Sequence, residues 1–306
     1  MKKAFTLVEL IVVVGIIAIL IGMLVALVPG GIESARTARC LTNMKNLATA
    51  CNNCAMATEW YPLAGSTEVK QGDNDAATGS LGWRYHEWKG WVSWDSRNAY
   101  GRDGASSHVA AGGWFTSAYN KDVDVRLHAL TNGAIWKYVS ENSDVFVCPL
   151  HRKRMRKENP LWSYVMNQKF GYDTSQGSKA NIAPTRREYG HLGRADRMLL
   201  FAELQFLPND IVQVSADASA GLKNDCTLQY DKDEIIGFNH ANGKRGLFAH
   251  LAFADGHVEK LSIPATPKGK GWAVKLGQND LKDLTKWLCE GKDVTFNGKR
   301  YEVTEN

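Results

Sequence analysis

Residues 5–28 read FTLVELIVVVGIIAILIGMLVALV, an apolar run whose polar side chains are Thr6 and Glu9. As a helix this run would be about 36 Å long, which exceeds the roughly 30 Å hydrocarbon core of a bilayer. A cleaved secretory signal has a shorter apolar core and a small-x-small site after it, whereas this run continues into Pro29-Gly30-Gly31. A buried core helix seldom reaches this length without polar residues. The sequence therefore predicts a transmembrane helix over 5–28.

The next segment, residues 29–58, keeps helical spacing after a kink or loosening expected at Pro29-Gly30-Gly31. Steps of three and four residues form one apolar stripe of Leu41, Met44, Ala48, Cys51 and Ala55. The polar residues Arg36, Asn43, Lys45 and Asn53 lie elsewhere on the helix. Because such a stripe needs a cover, the chain is predicted to be α+β. Its long N-terminal helix, membrane-spanning in the first half and amphipathic in the second, packs on an antiparallel β-sheet head with long loops.

The head, residues 59–306, contains short apolar runs typical of strands at 162–166 and 197–204. Residues 247–263, LFAHLAFADGHVEKLSI, contain two runs joined by Asp255-Gly256, which is a strong hairpin signal. If that dipeptide is a two-residue turn, Phe253 faces Val258 and His250 faces Leu261. One face of the hairpin, the one predicted to pack on the helix stripe, then holds Phe248, His250, Leu261 and Ile263.

A loop-rich insertion is predicted at about 65–120. Within it, WRYHEWKGWVSW at 83–94 includes Trp83, Trp88, Trp91 and Trp94. Exposed tryptophans at this density would suit a sugar-binding platform or a protein contact. A satellite core beneath a long loop is the favoured interpretation, because large aromatic side chains usually dominate core packing.

The first ten residues, MKKAFTLVEL, resemble the cleavage and methylation signature of type IV pilins and type II secretion pseudopilins. In that family a basic leader ends in a small residue, normally glycine, and a prepilin peptidase cuts before Phe and N-methylates it. The resemblance assigns residues 1–4 to the leader, cleavage to the Ala4–Phe5 bond and N-methylation to Phe5. Glu9 takes the assembly role. Ala4 departs from the usual glycine but keeps the small side chain.

The resemblance implies a structural subunit of a pilus or pseudopilus, with no enzymatic activity and no cofactor. It places a single-pass protein in the bacterial inner membrane, with the head in the periplasm or outside the cell, and in the pilus or pseudopilus after assembly. The implied partners are prepilin peptidase, other pilin or pseudopilin subunits, the inner-membrane assembly platform and membrane lipid.

The C-terminal part resembles a processing-associated domain of pilin-like proteins known as H-X9-DG. Residues 133–149, 163–167, 199–203 and 253–259 follow in the expected order. The signature falls on His240, Asp255 and Gly256, in a hairpin region at about 240–263. Fourteen residues separate His240 from Asp255, where the family has nine, so five residues are inserted here.

Six cysteines in an exported chain permit disulfides. Cys40 and Cys51 are about 16 Å apart along a helix and cannot bond each other, but either could reach Cys148 once the sheet packs on the helix. A metal site of His240, His250 and His257 with Asp255 is not favoured, because His250 and His257 belong to different strands and the spacing matches no zinc motif. The sequence thus predicts no metal.

Other classes of function are less well supported. The net charge of +5 is spread out, and the basic run at 151–157 has no nucleic-acid-binding motif beside it, so nucleic acid is not an expected partner. A membrane-tethered module that binds glycan or secreted cargo through the Trp-rich insertion is the alternative function. A tethered hydrolase ranks lowest, since GxSxG is absent from the sequence.

Overall fold

A computed structural model describes the long N-terminal helix and most of the sheet of the head. The described ranges are 7–64, 66–68, 90–95, 130–131, 133–154, 162–170, 192, 194–205, 227–228, 235–241, 246–269, 271–292, 295–296 and 299–300. Side chains at 24–29 in the first helix are not among them. The predicted leader and cleavage site at 1–5, and much of the predicted insertion, lie outside the described residues.

Helix α1 runs from Leu7 to Thr58 without interruption. Its 52 residues give a length of about 78 Å. The sequence predicts a kink or loosening at Pro29-Gly30-Gly31. In the structure, the α-helix continues through these three residues without interruption. From Leu7 to Met23 every side chain is exposed, and full burial begins at Cys40.

Within the described part of the chain, no helix combines the length and the apolar character needed to cross a membrane. The predicted span at 5–28 includes residues 5 and 6 and the side chains of 24–28, which lie outside that description.

A seven-stranded sheet forms the centre of the head. Its strands are β3 (Tyr164–Asn167), β4 (Leu199–Glu203), β5 (Thr227–Leu228), β6 (His240–Ala241), β7 (Gly246–Phe253), β8 (Val258–Lys268) and β9 (Gly271–Val274). Their order in the sheet is β5-β3-β4-β7-β8-β9, and β6 also pairs with β7. Neighbouring strands are antiparallel except for β3 and β5. Shorter pairs are β1 (Ser66–Glu68) with β2 (Ser93–Asp95), and β10 (Thr295–Phe296) with β11 (Lys299–Arg300).

Helices cover both faces of this sheet. The second half of α1 packs on one face, together with residues 133–154, which form two short 3-10 turns and α2 (Pro149–Arg154). On the other face lies α3 (Gln278–Cys289), which buries Leu281, Leu284 and Leu288. The α+β fold predicted from the sequence, with a long helix on an antiparallel sheet, is confirmed.

The apolar stripe of α1 is buried as the spacing predicts. Met44, Ala48, Cys51 and Ala55 are fully buried, while Leu41 is half-buried. Asn43 is not one of the stripe residues, yet it does not face solvent. Asn43 is 5% exposed, and its Nδ2 donates hydrogen bonds to the carbonyl oxygens of Asp144 at 3.1 Å and Val147 at 3.0 Å.

The predicted hairpin exists, but its register differs by one residue. Ala252 pairs with Val258 and His250 with Lys260, because the loop contains three residues, 254–256, rather than two. Gly256 has a φ of +95°, a conformation that glycine adopts without steric cost. Since a one-residue slip moves side chains to the other face, Leu261 and Ile263 pack on the α3 side, and their predicted position on the α1 side was wrong.

The described part of the Trp-rich insertion contributes to the main core. Trp91 is fully buried, with its ring centroid 4.9 Å from that of Phe201 and 5.8 Å from that of Phe146. Trp83, Trp88 and the side chain of Trp94 lie outside the described residues. For Trp91, core packing is the role that the structure shows.

Candidate functional site

A buried carboxylate, Glu203, is the centre of a polar cluster between α1 and the sheet. The side chain is fully buried. Its Oε1 atom lies 2.9 Å from His240 Nε2, 3.0 Å from His250 Nδ1 and 3.4 Å from Cys40 Sγ. The backbone N–H of His250 donates to the same oxygen at 3.3 Å, and Asn239 Nδ2 donates to Oε2 at 3.2 Å. We call Cys40, Glu203, His240 and His250 the buried cluster.

A β-bulge turns Glu203 toward α1. The pairing of β4 with β7 shifts register between Leu199 and Phe201. Leu199 and Ala202 pack on the α3 side, whereas the consecutive residues Leu200 and Phe201 both pack on the α1 side. A bulge re-aims the side chains that follow it. Glu203 therefore faces the helix, although strict alternation from Leu199 would send it to the opposite face.

Strand pairing brings the two histidines to this carboxylate. One edge of β7 pairs with β8, so the other edge is shared by β4 and β6. His240 pairs with Phe248 in that arrangement, and Phe201 pairs with Ala252. His250 lies between these two positions on β7. The end of β4 and the start of β6 thus meet beside His250, and α1 closes the cluster with Cys40.

Further polar groups surround the buried cluster. Thr37 Oγ1 is 3.3 Å from His240 Nδ1, and it donates its own proton to the Glu33 carbonyl at 3.1 Å. The Thr37 oxygen must therefore accept from a protonated Nδ1 of His240. The Tyr164 hydroxyl lies 3.2 Å from Cys40 Sγ.

Charge and burial act against each other in the cluster. Burial alone would raise the pKa of Glu203, but the charge and hydrogen bond of His240, aided by His250, hold it well below its ordinary value. Burial opposes the charged form of His240, yet Glu203 and the hydrogen bond to Cys148 raise the pKa of His240 to about 10. Burial raises the pKa of the Cys40 thiol. The Glu203–His240 pair is thus a buried ion pair when no other cation is present.

Of the signature residues predicted from the sequence, the structure brings only His240 into this cluster. Asp255 lies in the β7–β8 turn, where its Oδ1 accepts from the backbone N–H of His257 at 3.1 Å and contacts His257 Nδ1. His257 Nε2 is also 3.2 Å from Glu259. Gly256 supplies the positive φ of the turn. His240 consequently pairs with Glu203 and not with Asp255.

The cysteines predicted to form disulfides have free thiols. The described cysteines, Cys40, Cys51, Cys54, Cys148 and Cys289, are all buried and unbridged. The Cys148 thiol lies close enough to Cys40 and His240 to shift their pKa values. Cys51 instead lies beside Cys54. A bridge from Cys40 to Cys148 stays a prediction for oxidising conditions.

Sequence reasoning missed Glu203 and the role of Cys40. The segment LLFAE is predicted as a strand, but its terminal glutamate drew no functional interpretation. A lone carboxylate at the end of an otherwise apolar buried strand is a usable signal, because such a group is almost never fully buried unless it is paired.

A match to a known protein family covers the N-terminal end of α1, away from the buried cluster. Residues 1–25 match the family described as the prokaryotic N-terminal methylation motif. The N-terminus is of the prepilin type. The match supports a prepilin-type signal and, with it, a type IV pilin-like protein. No curated protein and no solved structure matches the chain.

The prepilin-type motif covers only the first part of the chain. It ends before the buried cluster and before the segments that resemble the H-X9-DG domain, so that second resemblance stays a prediction. Within the motif, Glu9 is exposed on the first turn of α1, whereas Ala4 and Phe5 lie outside the described residues. The motif and Cys40, the residue that α1 contributes to the buried cluster, therefore lie in separate parts of the helix.

Proposed function

We propose that this chain is a structural, non-catalytic subunit of a type IV pilus or type II secretion pseudopilus. In this proposal, prepilin peptidase cleaves the Ala4–Phe5 bond and methylates Phe5, and the mature chain assembles through α1 with other pilin or pseudopilin subunits on the inner-membrane platform. The observation that carries the proposal is the prepilin-type motif at residues 1–25, most of which forms an exposed apolar helix.

The exposed part of α1 needs an apolar environment. Between Leu7 and Met23 the large apolar side chains are 47–73% exposed in the isolated chain. An apolar surface of this extent marks a membrane or protein contact rather than a surface that remains in water. We propose that lipid of the bacterial inner membrane covers it before assembly, with the head in the periplasm or outside the cell. In the filament, the helices of neighbouring subunits would take the place of lipid.

Glu9 gives the assembly step its specificity. An ionised glutamate inside a bilayer costs about 3 kcal/mol on insertion scales, so its presence in the apolar segment calls for a function. Cleavage before Phe5 creates a new amine one helical turn from Glu9. We propose that this amine pairs with the Glu9 carboxylate of an adjacent subunit, which makes both charges less costly and fixes the axial register between two helices.

The test replaces Glu9 with leucine in a host that has prepilin peptidase and an assembly system. Glu9→Leu should leave cleavage and membrane insertion intact, because it removes a charge from the apolar segment, yet it should abolish incorporation into filaments. Filament shearing and cross-linking of neighbouring subunits measure incorporation. Glu33→Leu, which removes a carboxylate from the same helix beyond the apolar segment, is the matched control and should still assemble. Normal assembly of Glu9→Leu would contradict the proposal.

The alternative, a tethered module that binds glycan or cargo through its tryptophans, has less support. Trp91 packs in the core with no exposed surface, so it does not offer a binding platform. We therefore favour the structural subunit.

A further inference from the structure

We propose that Cys40, Glu203, His240 and His250 together bind one zinc ion. Each residue offers one ligand atom, these four atoms all lie within 4.8 Å of one another, and all four residues are buried. This inference is independent of the proposed function. It also replaces the expectation of no metal, which was reached for His240, His250 and His257 with Asp255 and did not include Cys40 or Glu203.

The spacing of the donor atoms is close to that of a tetrahedral zinc site. Zinc bonds of about 2.0–2.3 Å to nitrogen, oxygen and sulfur place neighbouring ligand atoms about 3.3–3.7 Å apart. Here the Glu203 Oε1 atom is 2.9 Å from His240 Nε2, 3.0 Å from His250 Nδ1 and 3.4 Å from Cys40 Sγ. Small side-chain rotations that move the nitrogen atoms outward would open the centre to an ion.

The kinds of donor also favour zinc. Thiolate and imidazole ligands select zinc over calcium or magnesium, which prefer oxygen. With Cys40 and Glu203 as anions and both histidines neutral, the ligands carry two negative charges, which balance Zn²⁺. A neutral site suits this position, since an uncompensated charge at full burial is costly.

Without an ion, more hydrogen-bond donors surround Glu203 Oε1 than this one oxygen can accept. Four potential donor atoms, three from side chains and one from the His250 backbone, lie within 3.4 Å of Glu203 Oε1. A carboxylate oxygen has about two lone-pair positions. An ion at the centre would accept the ligand lone pairs directly, and the same side chains would then no longer compete for one oxygen.

Neighbouring groups hold the ligands in the orientation that zinc requires. The Thr37 hydroxyl accepts from His240 Nδ1, which leaves Nε2 of the neutral ring as the metal-binding atom. Asn239 donates to Glu203 Oε2 and leaves Oε1 for the centre. The Tyr164 hydroxyl contacts Cys40 Sγ. Such outer partners are typical of zinc sites, where they fix the tautomer and direction of the ligands.

Four protein ligands and full burial indicate a structural site, because catalytic zinc keeps an open position for water. The ligands come from α1, β4, β6 and β7, so the ion would join the N-terminal helix to three strands of the sheet. Binding of this kind contributes directly to folding stability.

The experiment uses the full chain, purified in detergent under reducing conditions. Metal content is measured by inductively coupled plasma mass spectrometry, before and after removal of metal by a chelator and addition of zinc alone. We expect one zinc per chain and a higher unfolding temperature with zinc. Cobalt(II) added in place of zinc should give a sulfur-to-metal charge-transfer absorption, which a hydrogen-bonded cluster without metal would not produce.

Two pairs of variants separate zinc binding from general damage to the core. Cys40→Ser should weaken zinc binding at least about 100-fold and remove the cobalt charge-transfer band, while Cys51→Ser, a buried cysteine on the same helix, should retain both. His250→Gln should lose zinc, and His257→Gln should not. Thr37→Val should weaken zinc affinity about 10–100-fold with the ligands unchanged. Circular dichroism of each variant verifies that it has folded.

Three results would overturn the proposal. One is wild-type protein that takes up no stoichiometric zinc and shows no charge-transfer band with cobalt. Another is equal loss of zinc in Cys40→Ser and Cys51→Ser. The third is a disulfide from Cys40 to Cys148 in the protein as isolated without reductant, since the oxidised sulfur could not be a zinc ligand.

Discussion

Replacing Asn43 with alanine tests the contact between α1 and the segment before α2. The Nδ2 atom of Asn43 donates to the Asp144 carbonyl at 3.1 Å and to the Val147 carbonyl at 3.0 Å, in a side chain that is 5% exposed. A hydrogen bond contributes about 0.5–1.5 kcal/mol net, and a buried acceptor left without a donor costs about 1–3 kcal/mol. We therefore expect Asn43→Ala to lower the free energy of unfolding by about 2–3 kcal/mol.

The assay is thermal unfolding of the full chain in detergent, followed by the fluorescence of tryptophans such as the buried Trp91 and Trp162. For a chain of this size, the expected loss lowers the midpoint by about 4–10 °C. Asn53→Ala is the matched control, because Asn53 is exposed on the same helix and should change stability by no more than about 0.5 kcal/mol. Equal midpoints for the two variants would refute the reasoning.

Three further predictions concern processing, close packing and oxidation. Ala4→Leu should block peptidase cleavage without preventing insertion, whereas mass spectrometry of the wild type should show a chain that begins at N-methylated Phe5. Gly133→Ala should strongly lower the unfolding temperature, because a Cβ atom there would overlap the Trp91 carbonyl oxygen. In metal-free protein an oxidant should link Cys40 to Cys148, and peptide mapping without reductant identifies the bridge.

Each of these has its own contradicting result. An intact Met1 in wild-type protein extracted from the membrane of a host with the peptidase would exclude processing. Gly30→Ala, where an added Cβ meets nothing within 4 Å, is the control for Gly133→Ala, and equal effects would show that the close contact is not the cause. A bridge from Cys51 to Cys148 would mean that the helix is packed differently from the structure described above.

Local patterns in the sequence predicted the elements of the fold but not their exact pairing. The apolar stripe identified the buried face of α1, and strand-like runs identified β3, β4 and the β7–β8 hairpin. The register was missed because Asp-Gly is compatible with loops of two or three residues. A two-residue type I′ turn requires a positive φ at both Asp255 and Gly256, and of these two residues only Gly256 has one. The burial of Asn43 was not predicted, because its carbonyl partners, about a hundred positions away, leave no local pattern in the sequence.

The buried cluster was beyond sequence reasoning for a similar reason. Its four residues come from positions 40, 203, 240 and 250, so no short motif spans them. His240 and His250 attracted notice, but their partner was sought in Asp255. The side-chain direction of Glu203 depends on an irregularity in β4 that simple alternation of faces cannot predict.

The direction of Glu203 depends on the number of residues that follow the bulge in β4, and not only on residue type. Deleting Leu200 would remove the bulge and leave Phe201, Ala202 and Glu203 on their present faces. Deleting Ala202, after the bulge, would turn Glu203 toward α3, away from His240 and Cys40. An apolar substitution at Leu200 would keep the count of residues and leave Glu203 in place. Sequences that share this head should therefore conserve the number of residues from Phe201 to Glu203 while tolerating changes at position 200, and an alignment gap after the bulge would misplace the carboxylate.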